Sequence, residues 1–369
     1  MNDYPSLQSL TINKISVLVT GSSGFLGQHI IKLLQEQDDS VSSIVCFDKR
    51  PYRNNLGHKM DKPMKYITGD IRDEKVVTTA MEGVDCIIHC AAETSIDLKA
   101  DEKTLYSVNV EGTENLLNCA VESNIRYFVY VSTADVICGP DPIYYGAENT
   151  CMVPKKPVLG PYASSKYEAE LRVVKGNGLS LRNGIGRLST VILRPTLLYG
   201  EEDPFFVSQI IKLAKTSPNN CLPRVDNVFT RAQVTYVGNA AWACLKAKDR
   251  LRLDPGIGGE EFIITDDTPV QDPFDFVKPY LDQVNCRVSD RPLPYWILII
   301  FLELVLFLVI LVRPLYAIDL PEKYNPRRVR YLCTTFFFNR NKSTLRLSYA
   351  PFYTPDDSKK RSLQYYSKL

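Results

Sequence analysis

The sequence predicts an α/β protein: a doubly wound parallel sheet with a smaller C-terminal lobe and a separate hydrophobic segment. Three observations predict it. Over the first 200 residues, short runs dominated by Val, Ile, Tyr and Phe alternate with helical stretches. The first of these runs passes directly into a glycine-spaced turn, GSSGFLG, with glycines at 21, 24 and 27. Finally, the stretch Tyr295–Val312 reads YWILIIFLELVLFLVILV, with Glu303 as its only charge.

The strands are expected at Ile15–Thr20, 43–48, Met64–Thr68, 84–90, 127–132 and 190–194. Several are nearly unbroken apolar runs, the pattern of strands covered by helices on both faces. Helical stretches at 27–37, 104–123 and 162–175 lie between them, and strict alternation implies a parallel order. After residue 200 the rhythm loosens, with prolines at 204, 218, 223, 255, 269 and 273. The expected division is a Rossmann-type domain at 1–200, a substrate-binding lobe at 201–294, a membrane-associated segment at 295–312 and a C-terminal segment at 313–369 returning to the lobe. The last 20 residues, with Lys359, Lys360 and Arg361, read as a polar, partly mobile tail.

Composition narrows the function. The 369 residues are 45% hydrophobic and 23% charged, an ordinary globular balance. Lys and Arg number 44 against 42 Asp and Glu, so the chain lacks the basic excess of a nucleic-acid binder. Its ten cysteines form no CxxC pair, and there are three histidines, His29, His58 and His89. Cys86 and Cys90 bracket His89, but on a strand they share one face while His89 points to the other, so no metal site is expected. Reduced cysteines fit a catalytic domain facing the cytosol. The opening MNDYPSLQSLTINK carries no basic start followed by an apolar run, hence no secretory signal.

The glycine turn is the candidate cofactor site. Gly21 permits the tight exit from the strand, Gly24 lets the backbone approach a pyrophosphate, and Gly27 lets the new helix pack closely. Phe25 and Leu26 open that helix, whose N-terminus favours an anion. The second strand ends at Asp48, 21 residues beyond Gly27, where a carboxylate can accept from both ribose hydroxyls of NAD and repel the 2′-phosphate of NADP. Lys49 and Arg50 follow it and blur that preference. Asp70 and Ile71 end the third strand and are placed to flank the adenine. Ala91 follows the fourth, where a small residue leaves room for the cofactor.

The candidate chemistry lies in PYASSKYEAE. Tyr162 and Lys166 are four residues apart and share a helix face. A phenol with pKa near 10 is a poor base at neutral pH, but an ammonium and a cationic nicotinamide nearby both favour the phenolate. In a chain with 21 tyrosines this spacing arises by chance, so its position carries the weight. It follows a strand that ends in Ser132 and Thr133, at the sheet end where doubly wound folds bind ligands. Thr133 is the preferred hydroxyl for the substrate oxygen, with Ser132 second.

These elements resemble the extended short-chain dehydrogenase/reductase family, through VTGSSGFLG, CFDK, GDI, NVEGT, VSTADV, YASSK and LRPTLLYG. Within it the chain looks most like the 3β-hydroxysteroid dehydrogenase/isomerase branch, through VTYVGNAAWA, FIITDDTP and the apolar run ending in RPLY. The resemblance implies a catalytic set of Thr133, Tyr162 and Lys166 supported by Asn109, with Lys166 also touching NAD. It implies NAD-dependent oxidation of the 3β-hydroxyl of a steroid or sterol, and is compatible with a homodimer. It also implies an endoplasmic reticulum membrane with the catalytic domain in the cytosol, a mitochondrial membrane being the alternative. Two departures stand out: Thr133 replaces the usual serine, and Phe262 and Ile263 replace tyrosines before DDTP. Δ5–Δ4 isomerisation would need a further proton donor and acceptor, and Asp266 and Asp267 are adjacent carboxylates of a kind more often structural. A sterol C4-decarboxylating dehydrogenase, another dehydrogenase acting on a lipophilic alcohol, and a membrane-bound NAD-binding protein without turnover are the competing readings.

Eighteen apolar residues at 1.5 Å rise reach about 27 Å, near the minimum for crossing a bilayer. Arg287 and Arg291 precede the run, and Arg313, Lys323, Arg327, Arg328 and Arg330 follow it, so charge sets no orientation. The later stretch 345–357 resembles the closing segment that packs on the substrate lobe. Both flanks then lie on one side, and a re-entrant or interfacial anchor is expected.

Overall fold

A computed structural model describes residues 14–98, 100–226, 230–312 and 325–369. The N-terminal stretch read for a signal, Arg313, Lys323 and the RPLY motif lie outside the described residues. A seven-stranded sheet forms the centre of the molecule. Its strands are β1 Ile15–Thr20, β2 Val41–Asp48, β3 Met64–Thr68, β4 Cys86–His89, β5 Tyr127–Val131, β6 Ser189–Pro195 and β7 Glu261–Ile264. Every pairing is parallel, in the order β7-β6-β5-β4-β1-β2-β3. The strand order reverses between β1 and β4, and ligands of such sheets bind outside the carboxyl ends at that point.

Alternation along β1 separates two cores. Val17 and Val19 join Ile30, Leu33 and Leu34 of helix α1 (Phe25–Gln37) on one face. Leu18 joins Ile87, Phe128 and Tyr130 on the other, beneath α2 (Gly112–Glu122) and α3 (Pro161–Gly176). Cys86 and Cys90 pack with the first cluster, whereas His89 meets Phe128 and Tyr130 in the second. The ring nitrogens of His89 lie 2.7 Å from the Thr20 hydroxyl and 2.9 Å from that of Thr113. Burial holds this imidazole neutral, its pKa well below the ordinary value, with Lys166 adding to the effect.

The prolines after residue 200 do not mark the end of the sheet. Helix α4 (Val237–Leu253) lies on the first core through Ala241, Leu245 and Leu251, and β7 pairs with β6, Phe262 opposite Leu193. A third cluster gathers Tyr199, Phe206, Ile211, Phe276 and Tyr280, with Tyr366 from the C-terminal residues and Phe25 and Leu26 from α1 packed on it. The C-terminal residues are not a mobile tail: Pro355–Tyr366 is a helix, α7 here by chain order after α5 (Tyr295–Val312) and α6 (Pro326–Leu332). Tyr366 is fully buried and its hydroxyl bridges Gly200 N at 2.9 Å and Asp203 at 3.0 Å. The lysines and Arg361 drew attention in the sequence, but Ser358, Ser362 and Tyr366, four apart, are the buried stripe.

Candidate active site

The glycine turn has the form a phosphate-binding loop requires. Gly21 has φ +70°, and a Cβ there would meet the Ala91 backbone nitrogen at 2.7 Å, so the chain leaving β1 approaches the end of β4 this closely only because residue 21 is glycine. A Cβ on Gly27 would lie 2.1 Å from the Gly21 carbonyl oxygen. Gly24 is different: its Cβ would approach only that same oxygen, at 3.1 Å, and otherwise open space. Gly24 is also the N-cap of α1 and brings no side-chain cap, so the first-turn N–H groups beginning at Phe25 and Leu26 are available to an anion. Nearby, the Ser22 hydroxyl is buried with no partner. The loop fits a dinucleotide pyrophosphate.

Asp48 stands at the end of β2, buried to 8% exposure. Its oxygens accept from Ser23 N at 3.0 Å and Arg50 N at 2.9 Å, which ties the carboxylate to the glycine turn. A carboxylate has about four lone-pair sites, so two ribose hydroxyls can still be accepted. The following cations are engaged: Arg50 donates to the Ser23 carbonyl at 3.1 Å and Lys49 lies 3.9 Å from Glu93. Asp70 is held bidentately by Arg72 at 2.9 and 2.6 Å, which lowers its pKa, and Ile71 is buried beneath Gly112.

Tyr162, Lys166 and Glu170 are spaced four apart on α3 and form one stripe. Glu170 makes a buried bidentate pair with Arg194 of β6 at 2.9 and 2.6 Å. This pair fixes the rotation of α3 against the sheet. Lys166 Nζ donates to the Val131 carbonyl at 2.7 Å and lies 4.3 Å from the Tyr130 ring centroid. Burial lowers the Lys166 pKa to about 7, opposed by Glu170 and Cys90. Burial also pushes the Tyr162 phenol above its ordinary value, and the charge of Asp135 adds to that. Of the two charges expected to favour the phenolate, Lys166 directs its proton to the Val131 carbonyl and the Tyr130 face, and the cationic nicotinamide would come with NAD.

Strand β5 ends where that lysine binds, and Ser132 and Thr133 follow. Ser132 Oγ is buried with no partner. Thr133 Oγ1 donates to Asp135 Oδ2 at 2.7 Å and accepts from Asp135 N at 3.3 Å, capping the short helix Ala134–Ile137. Asp135 is the residue sequence reasoning missed. It is buried, its pKa is raised by desolvation, and its other oxygen accepts from the Tyr331 hydroxyl at 2.6 Å. The only signal was an acidic residue two positions beyond Thr133.

Asn109 lies on a π-helical turn, Ser107–Glu111, inside the run expected as one continuous helix. Such turns recur at functional sites because they re-aim a side chain. Here Asn109 Oδ1 accepts from Glu93 N at 2.7 Å while Nδ2 donates to Glu93 O and to Ser165 Oγ, both at 2.9 Å. Ser165 in turn donates to the Tyr162 carbonyl at 2.8 Å. Asn109 therefore braces the first turn of α3.

The two aspartates of the FIITDDTP segment are committed elsewhere. Asp266 is buried and accepts from Tyr236 N, Asn239 Nδ2 and Thr268 N at 2.8, 2.9 and 2.9 Å, and Asp267 pairs with Arg340 at 2.6 Å.

The glycine cradle and the tyrosine–lysine stripe thus face the same end of the sheet, as in a nucleotide-dependent enzyme. Residues 18–295 match the model of the 3-beta hydroxysteroid dehydrogenase/isomerase family. The chain is 32% identical to the human protein "3 beta-hydroxysteroid dehydrogenase type 7" over 96% of both chains. Among solved structures it is similar to epimerase Mth375 of Methanothermobacter thermautotrophicus, with TM-score 0.70 at 16% identity, covering 97% of this chain and 93% of that one. It is also similar to DesIV, a dTDP-glucose 4,6-dehydratase of Streptomyces venezuelae with NAD bound, with TM-score 0.67 at 22% identity, covering 96% and 97%. Those structures share the fold, while the sequence match is to one family along most of the chain: the protein belongs to the 3-beta hydroxysteroid dehydrogenase/isomerase family.

Proposed function

We propose that the protein is a membrane-associated, NAD-dependent dehydrogenase that oxidises the 3β-hydroxyl of a steroid or sterol to a ketone. The observation that carries it is the stripe of Tyr162 and Lys166 on α3, with Lys166 Nζ 2.7 Å from the Val131 carbonyl, beside Ser132 and Thr133. Bound NAD supplies the hydride acceptor and a positively charged ring. Thr133 holds the substrate oxygen, oriented by its bond to Asp135, and Ser132 is the second hydroxyl within the same strand end. Tyr162 takes the hydroxyl proton as the carbonyl forms. Lys166 would favour the phenolate that accepts this proton and would hold the ribose side of the cofactor. Asp48 favours NAD over NADP through its charge and remaining acceptor sites. Asp70 and Ile71 border the adenine side, and Ala91 leaves room for the cofactor backbone.

Asp266 and Asp267 support no proton shuttle in this reading, because both are occupied in holding backbone and Arg340. The proposed product is therefore the ketone without relocation of the Δ5 double bond. Membranes containing the protein, incubated with NAD and a panel of 3β-hydroxysteroids and sterols, should form NADH, and Tyr162→Phe should lower the rate by at least about 10²-fold. NADH formation unchanged in the variant would overturn the mechanism. Ultraviolet absorbance of the product separates an isolated ketone from a conjugated enone, and loss of CO₂ would mark a C4-decarboxylating reaction instead.

The lipid-borne substrate is supported by α5. Its 18 residues have a mean hydropathy of 3.0, and only Leu302 among them is buried. Trp296, Ile300, Phe301, Leu304, Phe307 and Leu311 are exposed, which a core helix would not allow. The strand before it, Leu293–Pro294, pairs with Val225–Asp226, and α6 after it docks on the catalytic half. Both flanks sit on one folded body, so α5 enters or lies on a bilayer without carrying the chain across. We place the enzyme on the cytosolic face of the endoplasmic reticulum, a compartment in keeping with described cysteines that form no disulfide. A tag fused at Leu369 should be digested by protease in sealed microsomes; protection would overturn this arrangement.

A further inference from the structure

The helix α6 joins four parts of the molecule that are distant in sequence. Its N-cap Asn325 donates to the Ile96 carbonyl at 3.1 Å, and Arg328 pairs with Asp97 at 3.1 Å. The Arg327 guanidinium lies against Gly160, 3.1 Å from where a Cβ would stand, immediately before the helix that carries Tyr162. Arg330 pairs with Glu303 at 2.8 Å, the one charge on the apolar helix α5. Tyr331, beside it, turns inward and donates to Asp135 at 2.6 Å across 196 positions of sequence.

That last bond closes a chain of hydroxyls and carboxylate. Asp135 Oδ1 accepts from Tyr331 and Oδ2 from Thr133, so each oxygen of a buried carboxylate has one hydroxyl donor. The Tyr331 ring is itself fixed, 5.7 Å from Phe336, and packs against the cluster that contains Ala134, Val136 and Ile137. A buried carboxylate with one donor removed turns toward the other or takes up a proton, and either change alters what Thr133 can offer. We propose that Tyr331 is a positioning residue for the catalytic centre, orienting Asp135 and through it Thr133 from a helix pinned to the apolar segment. The Arg330–Glu303 pair makes the seating of α5 part of the same arrangement. This inference rests on the reading that Thr133 serves the substrate hydroxyl.

Among the described residues, the charged and titratable groups facing Asp135 are Tyr331 from α6, Tyr162 from α3 and Cys138 from its own loop. The test uses the full chain in phosphatidylcholine vesicles and compares wild type, Tyr331→Phe, Asp135→Asn and the double variant. With a 3β-hydroxysteroid and NAD, Tyr331→Phe should lower kcat about tenfold, the size of one hydrogen bond to a charged group, while KM for NAD is unchanged. In the Asp135→Asn background the same substitution should cost little further, because the path runs through Asp135. An undiminished kcat, or losses that multiply in the double variant, overturns the inference.

A carbon-13 carboxyl titration, assigned with Asp135→Asn, reads the same bond without turnover. Its Asp135 midpoint should rise in Tyr331→Phe and fall when 3-fluorotyrosine, a stronger donor, replaces Tyr331. An unmoved midpoint overturns the inference even if steroid oxidation is found. If the wild type oxidises no steroid, the functional reading fails on that result alone, and the titration still decides for or against Tyr331.

Discussion

At the scale of single residues, desolvation dominates the chemistry of the site. Lys166 is held near a pKa of about 7 by burial, far below its value in the unfolded chain. The sign of the linkage follows. Below about pH 7 the folded protein must bury an ammonium, and that cost is fully present. Between about 7 and the unfolded value of about 10.4 the unfolded chain binds more protons than the native one, so stability from this group rises with pH. Lys166→Met should therefore raise Tm by a few degrees at pH 6 and by less at pH 9.5, while abolishing turnover; scanning calorimetry at the two pH values measures the difference. Thr133 and Ser132 can be separated in the same way. Thr133→Val should lower kcat by about 10²-fold and Ser132→Ala by only a few-fold, since Thr133 alone is joined to Asp135. The reverse order in steady-state assays would move the substrate hydroxyl to Ser132.

At the scale of elements, α3 delivers the catalytic stripe and its seating depends on the Glu170–Arg194 pair. Both side chains are buried, at 2% and 8% exposure, so removing one leaves an uncompensated charge. Glu170→Ala should destabilise the fold by about 3–5 kcal/mol, whereas replacing both residues with Leu and Met should recover much of the loss. Urea unfolding of the single and double variants checks this; equal losses in both would show that the pair does not set the helix. The π-turn at Ser107–Glu111 is the comparable device on the neighbouring helix, since it aims Asn109 at Glu93 and Ser165. The helix-forming pattern of the surrounding residues concealed it. A π-turn adds one residue per turn and leaves the apolar spacing on either side almost unchanged.

At the scale of the whole molecule, the apolar helix lies outside the packed body yet is tied to it by Glu303 and Arg330. Substituting Trp296, Ile300, Phe301 and Phe307 with Ser removes four of the nine large apolar side chains it exposes, its tryptophan and both phenylalanines among them. Full burial of each is worth about 1.5–3 kcal/mol, so the variant should be released from phospholipid vesicles in a flotation assay while its NAD binding is retained. Persistent flotation would place the membrane contact elsewhere. The seventh strand and the C-terminal helix show how far the compact body extends: Glu261–Ile264 completes the sheet, and Tyr366 closes on the turn at Gly200.

The sequence by itself determined the parallel sheet, the glycine turn, the acid at position 48 and the tyrosine–lysine stripe. Each is written in local periodicity or in residues within one strand–turn–helix unit, where backbone geometry leaves little choice. Only the tertiary structure decided that Glu261–Ile264 extends the sheet, that the charged C-terminal residues form a docked helix, and that Asp135 meets Tyr331. Those pairings join positions far apart in the chain. Which distant groups meet depends on the burial of all their neighbours together, and no local spacing carries that information.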